Sequence, residues 1–383
     1  MSTRIENLEV DLTARMGVAK SFRIRHCHSL LTYESNDIYH SHTHRSQKIC
    51  IPLASTLLPI NNYSPIFASK VQYTKYFIKD SSVREYFELY GVVTGANKGI
   101  GFETAKQLAS EGITVILTAR NEQRGLEAVS KLHEIGLTNV VFHQLDVLDP
   151  DSIQSLAKFI ADKFGRLDIL VNNAGASGVV VDEEGLRAMN IDFSSWLSGK
   201  ATNLVQSVIK TNCEKAEEGL NTNYYGLKNV TEALLPLLQK SLEGARIVNV
   251  SSLRGELKRI PSEQIRTELG DVENLSEEKI DGVLKRFLHD LKEDRLEVNG
   301  WTMMLPPYSI SKAAVNAYTR ILARKYPKMY INCVHPGYVN TDINWHTGIL
   351  SVEEGAKGPL KLALLPDGGP TGCYFDETEL GEF

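Results

Sequence analysis

The stretch 89-LYGVVTGANKGIGFETAKQLAS-110 decides the fold, because an apolar run leads directly into a glycine-rich turn and then into a helical pattern. We predict a strand over residues 89–94 and a helix over 99–110. Glycines let the backbone turn tightly and approach a pyrophosphate, and the N-terminus of the helix then favours the anion. The spacing G-x-x-x-G-x-G, set between a strand and a helix, predicts a dinucleotide-binding loop.

The chain after this loop alternates short apolar runs with helical periods, which is typical of βαβ units and a parallel sheet. We predict strands at 113–119, 140–145, 167–172, 246–250, 330–335 and 373–376, and helices at 121–135, 150–164, 217–239 and 308–325. Asp149 is a plausible N-cap, and Pro150 suits the first helical position. The predicted class is α/β, with a single Rossmann-type, doubly wound parallel sheet covered by helices on both faces.

Two stretches, residues 176–212 and 253–307, interrupt the alternation and are too long to be simple connections. We interpret both as insertions near the site. The second is highly charged and contains a predicted helix over 276–294. The fold therefore includes a helical insertion before Tyr308.

Residues 1–85 show no sustained period, whereas residues 86–383 form the predicted NADP-binding domain. We expect the first segment to be a poorly ordered extension, or sequence outside the functional protein from a mistaken start or exon. Its histidines suggest a metal site as an alternative, but no carboxylate or cysteine lies at a familiar spacing. We therefore expect no metal. These histidines are His26, His28, His40, His42 and His44.

Composition excludes several classes of function. The chain has 383 residues, of which 42% are hydrophobic and 23% charged, as in soluble globular proteins. Residues 90–383 carry 39 acidic and 31 basic residues, so no nucleic-acid partner is expected. No apolar run approaches the ~20 residues that cross a bilayer, so no membrane partner is expected. The five cysteines are scattered, which fits a reducing compartment, and we expect a cytoplasmic protein.

The end of the second predicted strand indicates which dinucleotide binds. NAD enzymes usually place an acidic residue there to hold the ribose 2′-hydroxyl. Residues 113–121 contain no Asp or Glu, Arg120 stands where the acid is often found, and Lys98 is a second cation on the same side. A 2′-phosphate would pair with a guanidinium, so these residues favour NADP(H). The alternative is that both are ordinary surface charges.

The motif 308-YSISK-312 lies at the start of a predicted helix. Residues four apart share one helical face, with Cβ atoms roughly 5–6 Å apart. A free tyrosine titrates near ~10, and an adjacent ammonium favours the phenolate, so Lys312 is expected to lower the pKa of Tyr308. Tyr308 could then give a proton to a carbonyl oxygen during reduction and take it back during oxidation. By itself, such a pair usually means two surface residues.

Further polar residues are predicted at the same edge of the sheet. Ser251 and Ser252 follow the strand at 246–250, and Asn172-Asn173-Ala174-Gly175 ends the strand at 167–172. Ligands of open α/β sheets bind at this carboxyl edge. Ser252 could hydrogen-bond the same carbonyl oxygen, the small residues leave room for the nicotinamide, and Asn223 adds an amide within a helix.

These motifs, in this order, resemble the short-chain dehydrogenase/reductase superfamily over most of the chain after residue 88. The resemblance implies that Tyr308 is the acid/base and that Lys312 lowers its pKa and binds the nicotinamide ribose. It implies Ser252 as the carbonyl-orienting hydroxyl and Asn223 as the anchor of a water-linked proton relay. Ser252 is preferred because the second serine usually occupies the catalytic position, with Ser251 as the alternative.

The resemblance also implies the remaining cofactor contacts. It matches Asp146 and Val147 to the adenine and the segment after Pro336 to the nicotinamide carboxamide. The full set expected to bind the cofactor is Gly95, Asn97, Lys98, Gly99, Ile100, Gly101, Arg120, Asp146, Val147, Asn173, Ala174, Gly175, Tyr308, Lys312, Pro336, Gly337, Val339 and Thr341.

Three features resemble the plant branch that contains menthone:neomenthol reductases and salutaridine reductase. They are the long segment between Ser252 and Tyr308, the ending 369-GPTGCYFD-376 and the asparagine-lysine pair in the glycine loop. Carbonyl reductases with a similar insertion are typically monomers, because the extra helix covers the face that other members use to pair. The resemblance therefore implies a monomer.

The expected function is NADPH-dependent reduction of a ketone or aldehyde, with a monoterpenoid or other plant secondary metabolite as small-molecule substrate. A general aldehyde-detoxifying reductase is an alternative. An NAD-linked alcohol dehydrogenase is disfavoured by the cations in the cofactor region. A non-catalytic NADP-binding sensor is disfavoured because Asn223, Ser252, Tyr308 and Lys312 are all present.

Replacing Arg120 with Asp should reverse the cofactor preference. The carboxylate would repel a 2′-phosphate and accept hydrogen bonds from a free ribose hydroxyl. The ratio of kcat/KM for NADPH to that for NADH is the measurement. An Arg120→Asp variant that still prefers NADPH would contradict the assignment.

Overall fold

The computed structural model describes residues 88–301 and 303–383, together with the backbone of four segments nearer the N-terminus. The chain divides into two units, Met1–Val83 and Arg84–Phe383. In the first unit, strands β1 to β4 form one antiparallel sheet in chain order. Their bounds are Asn7–Asp11, Lys20–Cys27, Leu30–Asp37 and Gln47–Pro52. We predicted neither helix nor strand here, and the rest of the expected poorly ordered extension lies outside the described residues.

The second unit is built on eight strands. They are β5 (Tyr90–Val93), β6 (Thr114–Ala119), β7 (Val140–Gln144), β8 (Ile169–Asn172), β11 (Arg246–Val250), β12 (Tyr330–His335), β13 (Tyr374–Asp376) and β14 (Glu379–Gly381). Their order is β14-β13-β12-β11-β8-β5-β6-β7, and every pair is parallel except the edge pair β13–β14. From β5 the chain adds β6 and β7 on one side, and it then crosses over to place β8 on the other side of β5. The boundary between β5 and β8 is therefore the topological switch point, where such sheets bind ligands.

Helices cover both faces of this sheet, which confirms the predicted doubly wound α/β fold. The helices are α1 (Gly99–Ser110), α2 (Glu122–Glu134), α3 (Pro150–Lys163), α4 (Glu183–Ala188), α5 (Phe193–Ser198), α6 (Thr202–Val205), α7 (Cys213–Leu220), α8 (Leu227–Leu238), α9 (Glu263–Gly270), α10 (Glu277–Lys292), α11 (Pro306–Lys325), α12 (Val352–Gly355) and α13 (Lys357–Ala363). As predicted, the Asp149 side chain caps α3, accepting a hydrogen bond from the Asp151 N–H at 3.0 Å.

The core has two layers because neighbouring strand residues point to opposite faces of the sheet. Val92 and Leu170 lie in the layer packed by α3, α8, α10 and α11. Val93 and Val171 lie in the layer packed by α1, α2 and α13. All four side chains are fully buried. Strands buried on both faces account for the continuous apolar runs in the sequence.

The helical segment observed where we predicted a helix over 217–239 is longer and less regular than that prediction. It begins at Cys213, where the Asn212 side chain accepts a hydrogen bond from the Lys215 N–H at 2.8 Å. A π-helix, Asn221–Gly226, then separates α7 from α8. Single π-turns inside α-helices occur frequently at functional sites. The sequence pattern missed the start because the cap lies inside a stretch that we assigned to an insertion.

Both predicted insertions have their own structure. In the first, β9 (Val180–Val181) and β10 (Ile209–Lys210) pair antiparallel around α4, α5 and α6. These elements form a small core with Met304 and Trp345. In the second, α9 precedes α10, which occupies 277–292 where a helix over 276–294 was predicted. The insertions thus add a separate apolar cluster beside the sheet.

Two further findings apply only to the described part of the chain. None of its helices is both long and apolar enough to span a bilayer. None of its His, Cys, Asp and Glu side chains form a group of three or more that could hold a metal ion. The metal site considered for the N-terminal histidines lies outside the described side chains.

Candidate active site

A cleft of about 580 Å³ lies at the carboxyl ends of the parallel strands. The loops that follow β5, β6, β7, β8, β11 and β12 all contribute to its lining. Every residue expected to bind the cofactor lines this cleft, as do Ser251 and Ser252. Asn223 does not line it and lies behind the wall, 1% exposed. Residues from six separate loops therefore meet at one edge of the sheet.

The glycine loop has the shape needed to hold a phosphate. Gly95 and Gly99 have φ angles of 62° and 59°, in the left-handed region that favours glycine. At Gly101 a Cβ atom would lie 2.3 Å from the Asn173 amide nitrogen, so no larger residue fits. No side chain caps the N-terminus of α1, and its first turn contains no acidic residue. The free N–H groups and the positive end of the helix dipole fit an anion.

Asn173 braces this loop. Its side-chain amide donates hydrogen bonds to the carbonyl oxygens of Thr94 and Gly95, at 2.9 and 3.1 Å. In return the Thr94 hydroxyl accepts hydrogen bonds from the N–H groups of Asn173 and Ala174, at 2.9 and 3.0 Å. We expected this motif to contact the cofactor and to leave space for the nicotinamide. It also joins the end of β8 to the end of β5.

The two cations expected at the 2′-phosphate have different surroundings. Lys98 forms an ion pair with Asp342, whose second oxygen lies 3.1 Å from Nε2 of His346. The Lys98 ammonium lowers the pKa of the Asp342 carboxyl, which favours the charged pair. Arg120 is exposed, lines the cleft and makes no ion pair within the described residues. The guanidinium of Arg120 is therefore the cation left to meet an added phosphate.

Residues that follow β7, including the two expected at the adenine, line one end of the cleft. The Asp146 carboxylate accepts a hydrogen bond from the Leu148 N–H at 3.0 Å, and the Asp146 N–H donates to the Ser152 hydroxyl at 3.0 Å. Val147 is buried against Gly226, where a Cβ atom would lie 2.8 Å from the valine side chain. These contacts hold the turn in one conformation.

At the other end of the cleft, Ser252 and Tyr308 meet. Both residues line the cleft, and the Ser252 hydroxyl is close enough to Tyr308 to lower the pKa of its phenol. The Ser251 hydroxyl instead donates to the Asn316 side-chain oxygen at 2.5 Å, within the packing of α11 against β11. Only the second serine presents its hydroxyl to Tyr308, which favours Ser252 over Ser251 as the carbonyl-orienting residue.

Lys312 lies beneath the tyrosine ring. Its Nζ atom is 5.6 Å from the centroid of the Tyr308 ring and donates a hydrogen bond to the Val250 carbonyl at 2.8 Å. Burial lowers the pKa of Lys312 to about 8, since desolvation disfavours the ammonium. The ammonium is still the main form at neutral pH.

The expected direction of the tyrosine shift was wrong for this structure. Burial raises the pKa of Tyr308, and this effect exceeds the opposing influence of the Ser252 hydrogen bond and the Arg254 charge. Lys312 is not among the groups that lower it. Desolvation dominates because Tyr308 is buried within the folded protein, which helical spacing alone could not reveal.

Asn223 lies in the π-helix and supports the wall behind Tyr308. Its side-chain oxygen accepts from the Ala176 N–H at 2.8 Å, and its amide donates to the Ala176 carbonyl at 2.9 Å and to the Ser311 hydroxyl at 2.9 Å. Gly175 allows this approach, because a Cβ atom there would lie 3.2 Å from the Asn223 oxygen. Asn223 thus ties the end of β8 to the helix that carries Tyr308.

The segment after β12 forms the remaining wall of the cofactor end. Gly337 has φ of 88°, and a Cβ atom on it would lie 2.4 Å from the Leu350 side chain. The Val339 carbonyl accepts a hydrogen bond from the Asn344 amide at 2.7 Å. The segment is therefore held in a tight turn with Thr341 lining the cleft.

Several cleft residues escaped sequence reasoning. The apolar and aromatic ones come from the insertions and from the loop after β12, where no motif exists to mark them: Trp196, Leu197, Leu305, Tyr338 and Trp345. Arg254 and His335 are charged or titratable residues of the same cleft. Leu305 has φ of 52°, a strained value for leucine, immediately before α11. Arg254 and His335 could have been suggested only by their proximity in the sequence to Ser252 and Pro336.

Comparison with known proteins agrees with this geometry. The model of the short chain dehydrogenase family matches residues 91–262 and 299–348. Short-chain dehydrogenase/reductase 1 of Saponaria officinalis is 53% identical over 302 residues, covering 77% of this chain and 96% of that protein. The (+)-neomenthol dehydrogenase of Arabidopsis thaliana is 50% identical over 298 residues, covering 77% and 98%. Carbonyl reductase (NADPH) 1 of Rattus norvegicus is 35% identical over 301 residues, covering 76% and 96%.

Solved structures give the same result. Salutaridine reductase from Papaver somniferum matches with a TM-score of 0.71 and 48% identity, covering 76% of this chain and 100% of that one. Menthone neomenthol reductase from Mentha piperita matches with a TM-score of 0.67 and 45% identity, covering 76% and 100%. The resemblance inferred from the residues, including that to the plant branch, is confirmed.

Replacing Gly101 with Ala should weaken NADPH binding. The added methyl would lie 2.3 Å from the Asn173 amide and 2.8 Å from the Gly95 carbonyl, so the brace or the loop must shift. We expect the Kd to rise at least about tenfold, or roughly 1.4 kcal/mol. Fluorescence titration measures it.

Gly282→Ala is the matched control, because its methyl would meet nothing closer than the Arg286 guanidinium at 3.9 Å. An unchanged Kd in a folded Gly101→Ala protein would show that the loop does not approach the cofactor closely.

Proposed function

This chain belongs to the short-chain dehydrogenase/reductase family of oxidoreductases, and from that premise we propose that it reduces a ketone or aldehyde with NADPH. We further propose that the substrate is a plant secondary metabolite of the monoterpenoid or alkaloid kind. The names of the relatives at about half identity, neomenthol dehydrogenase and salutaridine reductase, support this class. Residues 86–383 would form the catalytic domain.

The observation that carries the proposal is the grouping of the Ser252 and Tyr308 hydroxyls in one cleft, with the Lys312 ammonium beside the tyrosine ring. Two hydroxyl groups that meet in a cleft can both donate to one carbonyl oxygen. Negative charge develops on that oxygen as the carbonyl carbon is reduced, and preorganised donors stabilise it. Lys312 adds positive charge 5.6 Å from the tyrosine ring centroid.

The protonation states suit reduction. Because burial raises the pKa of Tyr308, its hydroxyl keeps its proton at neutral pH and can donate it. In the reaction the Tyr308 proton moves to the substrate oxygen, and Tyr308 becomes a tyrosinate. Lys312, held by the Val250 carbonyl, lies where its charge can offset that anion.

The residues of the cleft fit NADP(H). The glycine loop and α1 would hold the pyrophosphate, Arg120 the 2′-phosphate, and Asp146 and Val147 the adenine. Tyr308 and Lys312 would contact the nicotinamide ribose, and the segment from Pro336 to Thr341 the carboxamide. NADPH, when bound, supplies the hydride that the carbonyl carbon receives.

Asn223 would influence the reaction indirectly, through the groups that it holds in place. It is buried behind the cleft and bonded to both the Ala176 backbone and the Ser311 hydroxyl, one residue before Lys312. We propose that this amide anchors the relay that returns a proton to Tyr308. Its contacts also keep α11 in register with the end of β8.

Several large apolar and aromatic side chains line the proposed substrate end of the cleft. Trp196 is 6% exposed, and Trp345 is 9% exposed. Both pack in the small core of the first insertion, beside Leu305 and Tyr338. Walls of this kind bury the body of a bulky hydrocarbon ketone and leave its oxygen to the two hydroxyl groups. This supports a ring-bearing substrate over a small, hydrophilic aldehyde.

Tyr308→Phe should lower kcat for NADPH-dependent ketone reduction by roughly 10²–10⁴-fold, because the proton donor is lost. NADPH oxidation at neutral pH with a panel of terpenoid ketones, alkaloid ketones and aldehydes measures this. Tyr326→Phe, a half-buried tyrosine outside the cleft, is the matched control. If the unmodified protein binds NADPH but reduces nothing across the panel, a non-catalytic sensor is favoured instead.

We also propose that the protein is a cytoplasmic monomer. Three cysteines of the described residues, Cys213, Cys333 and Cys373, are free thiols, which supports a reducing compartment. The insertion helix α10 buries Ile280 and Phe287 in the core shared with α11. In the family, the face of this helix layer is the one used for pairing, so its coverage supports a monomer.

Light scattering of the full chain at low micromolar concentration should give a mass near 42.7 kDa. The reason is that α10 already occupies the apolar face that pairing would need. A mass of twice this value under the same conditions would contradict the monomer.

A further inference from the structure

Arg254 is a buried cation at the edge of the reaction site. Its side chain is 7% exposed, lines the cleft two residues after Ser252, and makes no ion pair within the described residues. Burying a charge in this way is costly unless other groups compensate it. A residue kept at such a cost next to a reaction site needs an explanation.

Backbone carbonyls from the first insertion provide part of the compensation. The Arg254 guanidinium donates hydrogen bonds to the carbonyl oxygens of Trp196 and, at 3.5 Å, Leu197. Arg259 donates to the same Leu197 oxygen at 2.7 Å. These bonds tie the end of α5 to the turn that follows Ser252. They therefore hold the Trp196 wall in place over the substrate end of the cleft.

Arg254 lines the same cleft as Tyr308 and Tyr338. Its positive charge lowers the pKa of both phenols, against the effect of burial. The other groups that face Tyr308 are the Ser252 hydroxyl from the end of β11 and Lys312 from α11. No carboxylate is among the groups that shift its pKa.

We propose that Arg254 is a positioning residue of this reductase, fixing the Trp196 wall of the substrate site and supplying positive charge to the cleft that Tyr308 also lines. This rests on the proposed function. During reduction the carbonyl carbon gains a hydride from NADPH and the carbonyl oxygen gains the Tyr308 proton. The anion left behind is the tyrosinate, which Arg254 faces. In the reverse direction Arg254 favours the tyrosinate that accepts the proton from the alcohol.

The test compares the pH dependence of alcohol oxidation, using a substrate that the unmodified protein turns over. Below its apparent pKa the oxidation rate rises with pH, because tyrosinate is the base. In Arg254→Gln and Arg254→Met the pH profile of oxidation should move to higher pH by roughly one unit. At a fixed pH below the apparent pKa, this shift lowers the oxidation rate about tenfold. Arg254→Lys should restore the profile but raise KM, because one ammonium cannot hold both carbonyls in the same geometry.

Arg259→Gln is the matched control. It removes the other bond to the Leu197 carbonyl, but Arg259 is not among the charges that act on Tyr308. We expect its pH profile to match that of the unmodified protein. A shift in the two neutral Arg254 variants and not in Arg259→Gln supports the proposal. Equal profiles in all proteins, or equal shifts at both positions, overturn it.

A second readout needs no activity. Hydrogen exchange of residues 193–198 reports whether the wall has loosened, and we expect faster exchange in Arg254→Met than in the unmodified protein. Unchanged exchange would overturn the positioning role. If the unmodified protein reduces no substrate, the proposed function fails, and the exchange result still decides whether Arg254 holds the wall.

Discussion

The hydrogen bond from the Lys312 ammonium to the Val250 carbonyl joins the start of a long helix to the end of a central strand. Both groups are buried, so the ammonium cannot exchange this partner for water without a large cost. The bond is one of the contacts that hold α11 against the end of β11. Tyr308 lies one turn earlier on this helix, and both Tyr308 and Ser252 line the cleft. The proposed acid/base chemistry depends on this one contact more than on any feature of the loops.

The cofactor end of the cleft depends on a similar join between strands. Thr94 and Asn173 end neighbouring parallel strands and exchange hydrogen bonds through both side chain and backbone. The brace is possible because Gly101 has no Cβ, which would otherwise occupy the position of the Asn173 amide. Glycine here has a steric role toward a neighbouring side chain, as well as the expected role toward a phosphate.

The first insertion and the loop after β12 together supply aromatic lining to the cleft. Trp196 and Trp345 come from segments far apart in the chain and share one small core. Both line the cleft that contains Tyr308, whose pKa burial raises, where sequence spacing suggested the opposite. The charge of Arg254 partly offsets this effect. The lining of the cleft is therefore completed by segments that carry no motif.

The sequence alone determined the parallel sheet, the glycine loop, the Asp149 cap and those residues of the cleft that lie in recognisable motifs. Each of these follows from patterns within about twenty residues, because strand alternation, helical periodicity and turn conformation are local. Only the tertiary structure decided that Lys98 pairs with Asp342, that Ser251 faces Asn316 and that burial raises the pKa of Tyr308. These outcomes depend on which distant segments exclude water from a side chain, and neither desolvation nor a long-range ion pair leaves a local pattern in the sequence.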